Sequence, residues 1–228
     1  MKRQLLAAAL ALGAFMPVNA GVDPLRENEY KTYHSMGCMM LQECTKDVYE
    51  IESLSDIERF YGRTFAELSP DEVQEINGLI SASNDAGVQV FLGNGRYFPI
   101  NHRGVYHTVE NNFFLNDIYM GEGDTLLAVL RHEGWHAAQD CMAGSIENNN
   151  IAIIHMEEEV PFEHKVMAEA TYPEQVVPWE QEAAWAGNTP NMTRDALASC
   201  ASPTPMWETY EPTPMTREWL EVKGYIKG

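Results

Sequence analysis

The stretch 130-LRHEGWHAAQD-140 places two histidines and a glutamate within five positions of a chain that has 7 His in 228 residues. Random ordering of such a composition would produce His-Glu-x-x-His in roughly 0.02 of chains, so the pattern asks for a physical reading. On a helix, His132 and His136 are four residues apart and stack on one face, with Glu133 at its edge. Two imidazole nitrogens so placed can hold a zinc ion, and the adjacent carboxylate can take a proton from a water that the metal activates.

The surroundings of the motif support a helix. Asp124 or Thr125 is a suitable N-cap, Leu126, Leu127, Val129 and Leu130 supply apolar positions, and Ala143-Gly144 marks the end. Upstream, 87-GVQVFLGNGRYFPI-100 reads as two β-rich runs around Gly93-Asn94-Gly95, a hairpin signal, with "GVYHTV" and "NNFFLND" as further short strands. The expectation is a small antiparallel sheet between residues 88 and 118. Further upstream, Val48, Ile51, Leu54, Ile57 and Phe60 recur at helical spacing, and a second helix starts at Ser69-Pro70 with Glu72 completing a capping box. Downstream, Pro161 opens a helix through Ala170, Pro178 opens "PWEQEAAWAG", and Thr193 is expected to cap a last helix carrying Cys200. Residues 201–228 read as an irregular tail with "PTPM" twice.

A catalytic zinc commonly has three protein ligands and a fourth position for water. The third ligand is not within the motif, because the extended form HExxHxxGxxH is absent: Gln139 and Met142 stand where it needs Gly and His. The segment 179-WEQEAAW-185 offers Glu180 and Glu182 on a short helix, and Ala183 and Ala184 would let that helix come close. The two glutamates point about 200° apart, so only one can face the metal, and spacing does not say which.

On these residues the chain resembles the zincin metallopeptidases, in the gluzincin-type arrangement of HExxH followed by a glutamate helix. The resemblance runs from Asn111 to about Ala186. In several such families the glutamate ligand is followed three positions later by alanine, as Glu180 is by Ala183; the chain departs from them at Ala184, where they often carry Asp or Asn. The resemblance implies a zincin-like α+β fold, one Zn2+, His132, His136 and Glu180 as ligands, and Glu133 as the base. It implies no particular substrate.

Other polar groups compete for a place at the site. His155, Glu157 to Glu159 and His164 follow the motif, Asp140 lies four residues beyond His136, and His102 and His107 fall in the expected sheet. As single groups in an acidic chain they read as surface residues, except that Asp140 is a candidate for a cap or a salt bridge. Tyr106, Tyr119 and Tyr172 are each able to donate a hydrogen bond to a transition state, and nothing in the sequence separates them.

Composition bounds the setting. Lys plus Arg number 15 against 34 Asp plus Glu, a net charge of −19. That charge disfavours binding to nucleic acid or an anionic membrane surface. Residues 1–20 have the layout of a secretory signal peptide: Lys2 and Arg3, an apolar run from Leu5 to Phe15, and small residues before a cleavage expected after Ala20. The run is too short for a membrane anchor. Residues 21–228 are expected to form a single domain, with 21–44 as a loop-rich strap. All four cysteines lie there, and an oxidising compartment favours pairing. Cys38 with Cys44 and Cys141 with Cys200 is the favoured connectivity of three, and no CxxC spacing suggests a cysteine metal cluster.

These readings predict a secreted or periplasmic zinc metallopeptidase acting on a peptide or protein, with no stable membrane insertion after signal removal. The alternative is a non-enzymatic secreted or envelope binding module that keeps the zincin-like fold with a structural metal or none.

Overall fold

In the computed structural model, residues 23–227 are described; the expected signal segment lies outside them. The architecture is α+β. In chain order the elements are α1 (Tyr33–Met40), β1 (Val48–Glu50), α2 (Leu54–Tyr61), α3 (Pro70–Asp85), β2 (Gln89–Gly93), β3 (Gly104–His107), β4 (Asn112–Asn116), α4 (Gly123–Met142), α5 (Phe162–Thr171), α6 (Val177–Gly187), α7 (Met192–Cys200), α8 (Met206–Thr209) and α9 (Pro214–Lys223).

The strands form one sheet in the order β1-β2-β4-β3. Alternation along each strand sends side chains to two different cores. Val90, Leu92, Phe113 and Leu115 join Ile76, Leu79 and Ile80 of α3 and Leu126, Leu127 and Leu130 of α4. Phe91 and Phe114 turn the other way, stack with ring centroids 5.2 Å apart, and pack with Met36, Met39, Tyr97 and Phe98. A third cluster, around Trp135, Ala138, Ala183 and Ala186, seals α4 against α6.

Several sequence expectations are corrected. The sheet is mixed: β2 pairs with β4 in parallel, while β1–β2 and β3–β4 are antiparallel. Gly93-Asn94-Gly95 makes no hairpin. A two-residue type I′ turn needs positive φ at its central residues, and Asn94 has φ −62°, capping a 3-10 turn over Gly95–Tyr97. Asp117 holds that turn by accepting the Gly95 N–H at 2.7 Å. The helix expected over 45–61 is shorter, since Val48–Glu50 is a strand paired with β2. Helix α4 starts two or three residues earlier than its expected caps Asp124 and Thr125, with Glu122 at the N-cap. Thr193 is not the N-cap of α7; Asn191 occupies that position without a side-chain capping bond, and the buried Thr193 hydroxyl donates instead to the Arg131 carbonyl at 2.8 Å.

The tail is ordered. Each "PTPM" ends at a helix start: Pro205 precedes α8, and Thr213 caps α9 with Pro214 in its first turn. The Trp219 indole donates to the Ala143 carbonyl at 2.8 Å, docking α9 on the end of α4. Both expected disulfides are present, Cys38–Cys44 closing a loop and Cys141–Cys200 tying the end of α4 to the end of α7. At the N-terminus, Asp23 accepts from Tyr30 at 2.7 Å and Tyr97 at 2.9 Å and pairs with Arg96 at 3.0 Å. Residues 23–44 are thus a strap on the sheet face opposite α4.

Candidate metal centre

Helix α4 carries the motif, and α6 crosses it closely enough that a Cβ on Gly187 would stand 3.3 Å from the Ala128 carbonyl and 3.5 Å from the His132 side chain. This approach delivers Glu180 to the histidines. His132 Nε2 lies 3.3 Å from Glu180 Oε2, and His136 Nε2 lies 3.7 Å from Glu180 Oε1. His132, His136 and Glu180 are the group among the described residues whose ligand atoms gather within 4.8 Å of one another.

The donor set fits zinc. Bonds of about 2.0–2.1 Å in a tetrahedron put ligand atoms about 3.4 Å apart, close to the spacings found. Glu180 Oε2 is buried and accepts no hydrogen bond, which is costly for an oxygen unless a cation meets it. Burial alone would favour a neutral Glu180; the two imidazoles outweigh it and hold the carboxyl well below the usual carboxylate range. Burial also disfavours a charged His136, but the Glu180 and Glu133 carboxylates raise its imidazole to about 9.

One consequence is measurable. At about pH 7.5, His136 of the metal-free protein carries a proton that a metal must displace. Zinc binding is expected to release close to one proton from His136 and to weaken as pH falls. Calorimetry in two buffers of different ionisation enthalpy reads the release directly.

Glu133 faces β3. Gly104 and Tyr106 share the strand face turned to α4, and the Tyr106 backbone N–H bonds the Glu133 carboxylate. Burial raises the Glu133 carboxyl above its ordinary value, opposed by the two histidines. A Cβ on Gly104 would come within 2.7 Å of Glu133 Oε1 and 2.8 Å of its Cγ, so glycine is needed for the strand to close on Glu133. Gly104→Val is expected to push Glu133 aside and lower turnover about a hundredfold, as a misplacement near 1 Å does, with zinc content unchanged. Parallel assays of turnover and bound metal check both halves.

The remaining sequence candidates separate cleanly. Glu182, the alternative third ligand, is fully buried and turned away from the gathered ligand atoms. Its carboxylate accepts from the Trp135 indole at 3.3 Å, from Gln139 at 2.8 Å and from the backbone of Ile154 at 3.0 Å and of His155. Burial pushes Glu182 up to about 7 against those donors. Asp140 neither caps nor pairs with a base; it accepts the Tyr106 phenol at 2.9 Å, and burial pushes it up to about 7. Its Oδ1 is buried without a partner, for which the surroundings give no reason.

His155 stacks on Trp135 and contacts Trp185, away from the ligand group. His107 alternates to the strand face opposite Gly104 and Tyr106, so it does not look toward the motif helix. His102 packs against Tyr33, and His164 lies on α5. Of the three tyrosines, Tyr119 packs beside Arg103 and Tyr106 is committed to Asp140. Tyr172 stands at the site: burial, with Glu180 and Glu133 beside it, pushes its phenol up. Gln139, whose Oε1 lies 2.9 Å from His136 Nδ1, is a residue of the candidate site that the sequence reading did not single out. Its only signal was position, three residues after His136 on the same helix face.

No protein-family model, curated protein or solved structure matches the chain.

Proposed function

We propose that this protein is a zinc-dependent peptidase with a zincin-like fold, working outside the cytoplasm. The observation that carries the reading is the convergence of His132, His136 and Glu180 with the buried Glu133 carboxylate beside them. Three gathered ligands among the described residues, rather than four, support a catalytic site over a closed structural one. Two disulfides are compatible with an oxidising compartment, and among the described residues no helix is long and apolar enough to cross a membrane.

Zinc, when bound, supplies Lewis acidity that polarises a scissile carbonyl and acidifies water. Glu133 accepts the proton of the attacking water and passes it to the leaving amine. Its burial suits this duty, because a carboxyl raised above its ordinary value is a stronger proton acceptor than a solvated carboxylate. Tyr172 is placed to donate to charge developing on the carbonyl oxygen.

An extended substrate is expected to pair with β3. The strand preceding the motif helix, β4, lies between β2 and β3, so the edge of the sheet beside Glu133 belongs to β3. Main-chain bonds along that edge would position a peptide with little demand on its side chains. Incubating the zinc-loaded protein with an unfolded protein substrate and mapping the products by mass spectrometry tests the reading. Chelator-sensitive cleavage supports it; intact substrate after prolonged incubation with fully loaded protein contradicts it.

A further inference from the structure

Buried Glu182 and Gln139 are both fully excluded from solvent, and neither belongs to the ligand group. Gln139 Nε2 donates to the Glu182 carboxylate at 2.8 Å and to the Trp179 carbonyl at 3.2 Å. The Trp179 carbonyl can only accept, so the polarity of the carboxamide is fixed by its surroundings. Its Oε1 must then face His136, where it lies 2.9 Å from Nδ1. A carbonyl oxygen there requires a hydrogen on Nδ1, so that in the neutral ring, which a metal binds, Nε2 carries the lone pair.

We infer that Glu182, acting through the Gln139 carboxamide, holds His136 in the tautomer and orientation that present Nε2 to the metal. The inference rests on the metal-centre reading above and adds two positioning residues to it. Position 182 needs a carboxylate, since the groups that converge on it, from Trp135, Gln139, Ile154 and His155, are all donors. A glutamine there would turn its own N–H groups against some of them. The same carboxylate ties the segment at Ile154 and His155 to α6, so the support under His136 is anchored at both ends. Partners of this kind orient the ligating imidazole, and removing them typically weakens metal binding 10- to 100-fold.

The test is zinc affinity, measured by competition with a chromogenic chelator, for wild type, Gln139→Leu, Glu182→Gln and the double variant. Each single change is expected to weaken zinc by about 10- to 100-fold. The double variant should be no weaker than the weaker single one, because the two residues act in series. In the zinc-loaded wild type, 15N-resolved NMR should show a slowly exchanging Nδ1–H on His136, lost in both variants. Melting of the metal-free proteins separates a merely structural role, which would lower Tm without changing the affinity of the folded protein. Gln139→Leu leaves three of the donors on Glu182 in place, so it reports even where Glu182→Gln does not fold. A wild type that binds zinc, with unchanged affinity in Gln139→Leu or with His136 coordinating through Nδ1, overturns this inference alone. A wild type that binds no zinc overturns the metal centre and the inference together.

Discussion

Glu133→Gln is expected to bind zinc as the wild type does and to lose peptide hydrolysis by a factor of about 10²–10⁴, the usual contribution of a general base. The substitution keeps the shape of the side chain under Gly104, and its amide oxygen can still accept the Tyr106 N–H. What it removes is the capacity to take a proton. Paired measurements of bound zinc and of turnover distinguish this from damage to the centre. Undiminished turnover in a fully loaded variant would remove Glu133 from the mechanism and leave the buried carboxylate to be explained as a structural group.

Arg131→Met is expected to destabilise the metal-free protein by about 3–5 kcal/mol, the cost of leaving one member of a buried ion pair alone. Arg131 and Glu75 are both buried, and their bonds are 2.9 Å from Nε and 2.6 Å from the terminal nitrogen. Glu75 also accepts the Asn191 N–H at 2.6 Å, so the pair joins α3, α4 and the start of α7. Without the guanidinium, the Glu75 charge keeps only that one donor. Replacing both partners, as Arg131→Met with Glu75→Leu, is expected to recover most of the loss. Denaturant melts of the three proteins decide it. Because Arg131 immediately precedes His132 but binds away from the ligand group, the folded single variant should keep its zinc.

Local signals and long-range signals in the chain were not equally legible. His132, Glu133 and His136 could be placed on one helix face because 3.6 residues per turn is a local rule, and the Ser69 capping box was legible for the same reason. The favoured disulfide pairing, a short loop for Cys38–Cys44 with Cys141 left for Cys200, is the one present. The choice between Glu180 and Glu182 could not be made from spacing, since it depends on how α6 rolls against α4; packing of Ala183 and Ala186 in the core sets that roll. The sheet was misjudged for a related reason. Gly93-Asn94-Gly95 carries a hairpin's letters, but the bond from Gly95 to Asp117, twenty-two residues on, holds it in a different turn. Parallel pairing of β2 with β4 has no local mark at all, and with it went the position of β3 and of Gly104 beside the base. In the tail, read as irregular, both the helix that Thr213 caps and the docking of Trp219 on α4 were missed.

The most direct measurement is zinc content by elemental analysis of the purified protein after loading at neutral pH and removal of free metal, for wild type, Glu180→Ala and Glu182→Ala. One zinc per chain is expected in the wild type. In Glu180→Ala the loss should exceed the 10- to 100-fold weakening typical of a supporting partner, leaving essentially no metal after removal, while folded Glu182→Ala should retain a weakened site. No zinc in the wild type, or full zinc in Glu180→Ala, would contradict a centre built from His132, His136 and Glu180.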